Sequence, residues 1–279
     1  MAKLSFDYTK YRVPTDGAFS LASIDPDDTQ GLDEKKHKGK AKKMLKENQV
    51  RLDDLQERLY AESRQSVLLV LQAMDTAGKD STIRKVVGDV NPQGCLVTSF
   101  KAPSNEERAH DFLWRIHEHA PPKGYIGIFN RSHYEDVLIV RVHGWASPDL
   151  IEKRYDHINA FEKLLADHGT RIVKVMLYVS KKYQLKRLRR RLRRPDNHWK
   201  FNPGDLKERK RWDDYMEAYE IALRRCSTPY APWYVVPAEQ RWFRDLVISQ
   251  LLVDTLEAMD PQFPEPSFNP ADYPPESLT

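Results

Sequence analysis

The chain has 279 residues, of which 40% are hydrophobic and 31% charged, and its 45 basic and 41 acidic side chains leave a net charge of +4. This composition predicts a globular protein of one large or two small domains. It excludes a membrane-spanning helix, because the longest aliphatic run, Val67–Leu71, is far shorter than the roughly 20 apolar residues that cross a bilayer. With no secretory signal and only two cysteines, Cys95 and Cys226, we expect a cytoplasmic protein.

Five short runs of apolar, β-branched or aromatic residues predict buried strands. Helical stretches separate most of these runs, and strands that alternate with helices predict a parallel sheet covered on both faces. The predicted strands are Val67–Leu71, Leu96–Phe100, Tyr125–Phe129, Ile172–Val179 and Trp233–Val236.

Capping patterns predict where three of the helices begin. Each pattern places a side chain that can accept a backbone hydrogen bond in front of a run with helical periodicity. The three predictions are a capping box of Ser104 and Glu107 for a helix over Ala109–His119, Ser147-Pro148 for a helix that ends at Gly169, and a second capping box of Asp205 and Glu208 for a helix over Leu206–Arg225.

Residues 1–260 are predicted to form a single domain, because no internal repeat or clear linker divides them. Within this domain, residues 32–62 form a charged helical extension that would pack outside the sheet or against another subunit. Residues 261–279 are rich in proline and have too little periodic apolar surface to fold alone, so we expect an extended tail.

The first predicted strand runs into a loop of small residues that ends in Gly78-Lys79 and precedes a helix. In a P-loop of this kind, backbone N–H groups face a bound phosphate and the lysine reaches the transferred group. Asp75 would repel phosphate unless a divalent cation lay between them, so we interpret Asp75 as a metal ligand, with a turn-stabilising role as the structural alternative. The residues predicted to bind phosphate or nucleotide here are Ala77, Gly78, Asp80, Ser81, Thr82 and Arg84.

A charged cluster follows the third predicted strand and should lie beside the phosphate loop, because parallel strands present their carboxyl ends at one edge of a sheet. Asn130 stands where a P-loop enzyme usually keeps an acid for magnesium, so the metal ligands are predicted to be Asp75 and Glu135. Arg131 could hold phosphate oxygens in a two-armed fork, and Asn130 and His133 are candidate contacts to the phosphate or nucleotide. The structural alternative is an ordinary polar loop.

Residues 181–194 contain nine basic side chains and no acidic one. This is a locally intense positive field in a chain that is nearly neutral elsewhere. Leu185, Leu188 and Leu192 form a narrow apolar seam that would dock the helix on the sheet edge while its arginines face a multivalent anion. A solvated charged face is the structural alternative.

Several segments, in order between about Tyr11 and Gln262, together resemble the polyphosphate kinase 2 family, and NRSHYED resembles its class III branch. The resemblance implies a three-layer α/β/α P-loop kinase fold with a parallel five-stranded sheet and a helical lid. It further implies dependence on magnesium, with manganese as an alternative, and transfer of a terminal phosphoryl group from inorganic polyphosphate to AMP and ADP. It also implies a homo-oligomer. The segments are LQAMDTAGKDSTIRKV, SFKAPSNEERAHDFLWRIH, FNRSHYEDVLIVRVH, HWKFNPGDLKER and APWYVVPA.

The resemblance also implies roles for individual residues. The Walker A Asp and Lys of the family correspond to Asp75 and Lys79, and its Walker B Arg corresponds to Arg131. Asn130 and Glu135 stand where other branches have Asp and Asn, a substitution similar to class III. The implied catalytic residues are therefore Asp75, Lys79, Arg131 and Glu135. The matching positions in the lid, which covers about residues 181–211, are Arg187, Arg191, Trp199 and Lys200.

Two other functions stay open at this stage. The phosphate loop and basic helix would also suit an ATP-dependent nucleoside monophosphate kinase, and the basic helix alone could bind nucleic acid. No recognisable nucleic-acid-binding module is present, so neither a specific nucleic acid nor a membrane is expected as a partner. Asp111 and Arg115 could face the acceptor, but structural ion pairing is an equally good interpretation.

Overall fold

The computed structural model describes residues 4–277, which fold around a single sheet. Its five strands are all parallel and lie in the order β2-β3-β1-β4-β5. All five predicted strands are confirmed. They are β1 (Ser66–Gln72), β2 (Cys95–Ser99), β3 (Ile126–Asn130), β4 (Thr170–Tyr178) and β5 (Trp233–Pro237).

Helices cover both faces of the sheet and produce the predicted three layers. Helices α1, α2 and α10 pack together, and α5, α6 and α9 form another group. The helices are α1 (Glu34–Glu62), α2 (Lys79–Val86), α3 (Asn105–Ala109), α4 (Trp114–His117), α5 (Ile139–His143), α6 (Pro148–Asp167), α7 (Lys181–Arg193), α8 (Gly204–Lys210), α9 (Trp212–Cys226) and α10 (Arg241–Met259).

Helix α1 is the predicted amino-terminal extension, and it packs outside the sheet against α10. Asp33 caps it by accepting a hydrogen bond from the Lys36 backbone N–H at 2.9 Å. Leu52 and Leu59 are fully buried along the contact, and Asn48 Nδ2 donates to Ser249 Oγ at 3.0 Å. The first alternative for this extension, packing outside the sheet, is therefore confirmed.

The prediction that every strand is buried is wrong for β2. This strand lies at the edge of the sheet, and Leu96 and Val97 are 39% and 52% exposed. Hydrophobic runs identify strands from side-chain type alone, but burial also depends on the position of the strand in the sheet, which the run does not encode.

Two of the three predicted helix caps are present in the structure, and the third is not. Ser147 caps α6 as predicted, and Ser104 with Glu107 forms the predicted capping box, although α3 ends at Ala109 and a separate short helix follows. The second predicted box is wrong: Asp205 lies inside α8, where its carboxylate pairs with Arg191. The helix is interrupted at Arg211, between α8 and α9, so the continuous helix predicted there is also wrong.

Residues 261–277 run along the surface with two short 3-10 turns, Pro270–Asp272 and Pro275–Ser277. The division into a domain and a tail stays a prediction. Between residues 4 and 277, no helix is long and apolar enough to span a bilayer.

Candidate active site

The loop between β1 and α2 forms a backbone cradle at the carboxyl end of the sheet. Lys79 opens α2, and its Nζ donates back to the Ala73 carbonyl oxygen at 2.9 Å. Gly78 has a φ of +116°, and a Cβ at this position would collide with the Arg244 guanidinium, so only glycine fits here. The loop thus exposes the start of a helix where an anion can bind.

The end of β3 lies directly beside this loop. Leu71 is in register with Asn130, and the Arg131 backbone N–H donates to the Leu71 carbonyl oxygen at 3.0 Å. Arg131 has a φ of +64°, a left-handed conformation that costs energy for a residue with a side chain. Strain of this kind is common at functional sites, where the surrounding structure maintains it.

Arg131 holds the two predicted metal ligands together. Its Nη2 lies 2.7 Å from Asp75 Oδ1, and its Nη1 lies 3.2 Å from Glu135 Oε2. The two arms of one guanidinium therefore hold carboxylates from the ends of two neighbouring strands. The structure brings together Asp75, Lys79, Arg131 and Glu135, the four residues implied to be catalytic.

The charged side chains of this cluster shift one another's pKa values. Glu135, followed by Asp75, raises the pKa of Arg131, so this guanidinium stays charged. Burial, followed by the positive charge of Arg131, lowers the pKa of Lys79, while the nearby carboxylates oppose that shift. Two cations and two anions share the site, and a bound phosphate would favour the protonated form of Lys79.

The donor chemistry of the site fits a magnesium ion. Asp75 and Glu135 supply hard carboxylate oxygens directed at one shared cation position, which Arg131 fills in this structure. Magnesium is usually bound by one or two carboxylates together with water and substrate phosphates. Among residues 4–277 no group of three or more His, Cys, Asp or Glu side chains could hold a metal. The protein would therefore supply these two carboxylates and leave the other positions to water and phosphate.

The remaining loop residues divide into two sets. Asp80 is exposed at the mouth of the loop, where its Oδ1 accepts from Asn130 Nδ2 at 2.7 Å. Ser81 and Thr82 turn their hydroxyls back onto the Gly78 carbonyl oxygen, at 2.8 and 3.1 Å. The Thr82 side chain is fully buried, so its hydroxyl does not face a phosphate in this structure, and the prediction that Thr82 binds phosphate stays a prediction. Thr82 lies in the first turn of α2, so its hydroxyl is close enough to donate to the Gly78 carbonyl oxygen four residues earlier.

The prediction that His133 contacts phosphate is wrong. The ring is fully buried, and its Nε2 lies 3.2 Å from Glu162 Oε1 in the core. Glu162 also pairs with the buried Lys174 at 2.5 Å. The short 3-10 turn His133–Asp136 explains the difference, because it turns His133 into the core while Glu135 meets Arg131.

Replacing His133 should change the pH dependence of stability. Burial lowers the pKa of His133 below its usual 6.5, so the unfolded chain takes up a proton that the folded chain resists. Stability should therefore fall as the pH drops below about 6.5, by up to about 1.4 kcal/mol per pH unit. In thermal melts between pH 7.5 and 5.5, His133→Gln should show the shallower dependence. If the melting temperature fell equally steeply with pH in the wild type and in His133→Gln, His133 would not be the buried neutral group described here. Burial raises the pKa of Asp136 to about 6, which acts in the opposite direction in both proteins.

Helix α7 covers the phosphate loop but does not present all of its predicted lid residues to one surface. Gln184 anchors the helix by donating from Nε2 to the Asp75 carbonyl oxygen at 3.2 Å. Arg191 pairs with Asp205 at 3.1 Å, whereas Arg187 faces a different groove. Lys200 is exposed beside the ring of Trp199. Of the predicted apolar seam, Leu188 is buried, but Leu192 is 52% exposed, so the seam is wrong at its outer end.

Two residues near the site were not predicted from the sequence to belong to it. Asp205 is nearly buried, and its pKa is raised by burial and by the negative charge of Asp75, so it belongs to the same electrostatic cluster. Arg244 is fully buried behind the phosphate loop, where Nη1 donates to the Ala77 carbonyl oxygen at 3.3 Å and Nη2 to Ser81 Oγ at 3.2 Å. No distinct sequence signal marks Arg244, because α10 carries other charged residues as well, among them Arg241, Asp245 and Asp254.

Arg244 should act as a positioning residue for the loop. Arg244→Met should destabilise the fold by about 3 kcal/mol, because it leaves Asp245 buried without its partner at 2.6 Å. Adding Asp245→Asn should recover most of that stability. The double variant should still bind the phosphate donor weakly, because the loop has lost both hydrogen bonds. Chemical unfolding and the donor KM measure the two effects. A double variant with the wild-type donor KM would reduce Arg244 to a structural role.

Arg115 makes the contacts that the structural interpretation expects, and its contact with the acceptor stays a prediction. Arg115 is nearly buried, donates to the Lys101 carbonyl oxygen at 2.9 Å and pairs with Glu107 at 3.8 Å. Asp111 accepts a hydrogen bond from the Leu113 backbone N–H at 2.9 Å. The Arg115 side chain therefore fixes the segment after β2, and its ion pair is intramolecular.

A parallel sheet with a phosphate loop after β1 and a cluster of acidic and basic side chains after the adjacent β3 is the architecture of a P-loop kinase. A family model described as polyphosphate kinase 2 matches residues 35–264. The chain belongs to the polyphosphate kinase 2 family.

Individual relatives agree with this placement. The chain is 51% identical over 257 residues to the AMP/ADP-polyphosphate phosphotransferase of Meiothermus ruber, covering 92% of this chain and 96% of that protein. It is 47% identical over 238 residues to the ADP-polyphosphate phosphotransferase of Rhodopseudomonas palustris, covering 80% and 81%. The crystal structure of polyphosphate kinase 2 from Arthrobacter aurescens superposes with a TM-score of 0.90 at 48% identity, covering 94% of this chain and 93% of that one.

Proposed function

We propose that this protein is a polyphosphate-dependent nucleotide kinase that transfers a terminal phosphoryl group from inorganic polyphosphate to AMP and to ADP. The observation that carries the proposal is the position of Lys79 and of the Arg131 bridge to Asp75 and Glu135 around one phosphate loop. The two relatives at 51% and 47% identity are polyphosphate phosphotransferases, which supports polyphosphate as the phosphoryl donor.

The chemistry needs no general base from the protein. A phosphate oxygen of AMP or ADP is already ionised at neutral pH, so it can attack without losing a proton. The work left to the chain is to hold donor and acceptor in line and to neutralise charge on the moving phosphoryl group. Backbone N–H groups of the loop, Lys79 and Arg131 would supply this stabilisation.

We also propose that Asp75 and Glu135 hold a magnesium ion, with manganese as an alternative. When bound, the ion would neutralise charge on the phosphate oxygens of the two substrates. Arg131, which fills that cation position in this structure, would then leave the two carboxylates and could turn its guanidinium toward phosphate oxygens. The pairing of Asp75 and Glu135 on one guanidinium supports this proposal.

A homo-oligomer and a cytoplasmic location are proposed with the same function. The exposed edge strand β2, with Leu96 and Val97 on its surface, supports a contact between subunits, because uncovered strand edges readily pair with another chain. Two cysteines without a disulfide, Cys95 and Cys226, are compatible with a reducing compartment.

One assay separates the proposed function from its alternatives. Purified protein is given magnesium, long-chain polyphosphate and either AMP or ADP, with no ATP added. The proposal expects ADP and ATP from AMP, and ATP from ADP. Product only when ATP replaces polyphosphate as donor would favour a nucleoside monophosphate kinase. No phosphoryl transfer with either donor, together with tight and salt-sensitive RNA binding, would favour a nucleic-acid-binding protein.

A further inference from the structure

A buried glutamine lies between the phosphate loop and the turn that carries Glu135. Gln72 is the last residue of β1, and its side chain is fully buried. The rest of this central strand is apolar apart from Ser66 at its other end. Burying an amide costs free energy unless its oxygen and its nitrogen both find hydrogen-bond partners. The partners of Gln72 therefore show what this side chain does at the end of the strand.

The Gln72 amide bridges two residues of the turn after β3. Its Oε1 accepts from Ser132 Oγ at 3.1 Å and from the Ser132 backbone N–H at 3.2 Å, and its Nε2 donates to Glu135 Oε1 at 3.0 Å. The opposite orientation would point the amide oxygen at the carboxylate and the amide nitrogen at the Ser132 backbone donor. Ser132 Oγ also accepts from the Tyr134 backbone N–H at 3.2 Å, so its own hydrogen is free for Gln72. Both ends of the buried amide are thus paired.

Glu135 is held by one donor on each of its carboxylate oxygens. Arg131 Nη1 lies 3.2 Å from Oε2, and Gln72 Nε2 lies 3.0 Å from Oε1. Arg131 fills the cation position between Glu135 and Asp75, so under the proposed function its contact is lost when an ion takes that position. The Gln72 contact is made to the other oxygen and can persist. Gln72 is therefore the donor that can hold Glu135 both before and after an ion binds.

The turn itself is anchored from the core side. Tyr134 OH donates to Glu162 Oε1 at 2.9 Å and accepts from Lys174 Nζ at 2.8 Å. His133 Nε2 lies 3.2 Å from the same Glu162 oxygen. Because these contacts fix the backbone of the turn, the freedom that remains at Glu135 is in its side chain. A donor on that side chain then decides where the carboxylate points.

We propose that Gln72 is a positioning residue that holds Glu135 in the orientation needed to bind the metal ion. The inference rests on the proposed function and adds the end of β1 to the site. Gln72 also connects the two proposed metal ligands, because Asp75 follows it by three residues and Glu135 accepts its hydrogen bond. Replacing a residue that orients a metal ligand through a hydrogen bond typically weakens metal binding by about 10- to 100-fold.

A double-mutant cycle tests whether Gln72 acts through Glu135. Gln72→Glu keeps an oxygen for the two Ser132 donors but replaces the donor to Glu135 with a second carboxyl group. Gln72→Met removes both ends of the amide without adding an acid, and it decides the question if Gln72→Glu does not fold. Glu135→Gln is the other single variant. The double variant, Gln72→Glu with Glu135→Gln, restores an amide and a carboxyl group facing each other, with their places exchanged.

Metal binding is measured without turnover. Mn²⁺ is titrated into each protein with ADP present and polyphosphate absent, and the relaxation of water protons reports the ion that is bound to the protein. Thermal melts report the stability of the same proteins. Ser132→Ala is the matched control, because it removes the other side-chain hydrogen bond of Gln72 and leaves the donor to Glu135 in place.

The proposal expects Gln72→Glu and Gln72→Met each to raise the Kd for Mn²⁺ by about tenfold or more. The double variant should bind Mn²⁺ no more weakly than Glu135→Gln alone, because Gln72 then has no metal ligand left to position. Its melting temperature should exceed that of Gln72→Glu, since the facing groups are complementary again. Ser132→Ala should lower the melting temperature and keep the wild-type Kd.

Three results would overturn the role of Gln72. An unchanged Kd in Gln72→Met and in Gln72→Glu would reduce the amide to packing at the end of the strand. Equal increases of the Kd in Ser132→Ala and Gln72→Glu would assign the effect to the fold of the turn. Additive losses in the double variant would mean that Gln72 does not act through Glu135. A wild-type protein that binds Mn²⁺ but transfers no phosphoryl group from polyphosphate would instead overturn the proposed function, and the cycle would still decide the role of Gln72.

Discussion

Lys79→Met should lower kcat by about 10²- to 10³-fold while leaving the protein folded. The substitution keeps an unbranched side chain of nearly the same length but removes the charge that would meet the transferred phosphoryl group, and loss of one such stabilising donor typically costs that much. Burial already lowers the pKa of Lys79, which means that the fold disfavours its charged form. Replacing it with an uncharged side chain should therefore leave the melting temperature unchanged or slightly higher.

The measurement pairs steady-state kinetics with a thermal melt. Lys123→Met is the control, because Lys123 is exposed in the loop before β3 and outside the site. If the Lys79→Met protein kept the wild-type kcat, Lys79 would have no role in the reaction. A variant that loses activity and melting temperature together would show that the lysine serves the fold, and the assignment would fail in that case as well.

The parts of the site that could be predicted from the sequence are local in the chain. Hydrophobic runs identified β1 and β3, and the residues that follow each run were assigned to the site because parallel strands end at one edge. This reasoning placed Asp75, Arg131 and Glu135 together before any contact was known. It worked because adjacent strands and the turns after them are specified by short segments of sequence.

The predictions that failed concern side chains whose contacts lie far away in the sequence. His133 lies in the turn that holds Glu135, and only the buried pair of Glu162 and Lys174 shows that its ring faces the core. Arg244 contacts Ser81 across 163 residues, and no spacing pattern connects them. Sequence periodicity reports which face of an element is apolar, but it cannot report which remote element packs on that face.

Asp75→Asn and Glu135→Gln should each raise the magnesium concentration that gives half-maximal activity. Each substitution replaces a charged oxygen ligand with a neutral amide, and changes of this kind near a metal weaken its binding by about 10- to 100-fold. The two effects should differ in one respect. Asp75 lies on the phosphate loop, so its loss should also raise the donor KM, whereas Glu135 approaches Arg131 from the β3 side and should affect mainly the metal requirement.

Asp136→Asn is the matched control for both variants. Asp136 is adjacent to Glu135 in sequence and undergoes the same chemical change, but its carboxylate faces Arg154 at 3.3 Å instead of Arg131. Its substitution should alter stability and leave the magnesium titration unchanged. A magnesium requirement that shifts in Asp136→Asn and not in Asp75→Asn or Glu135→Gln would mean that the ion binds on the opposite side of the turn. The Arg131 bridge would then be a purely structural ion pair, and the strain at its left-handed backbone would have to serve the packing of the turn.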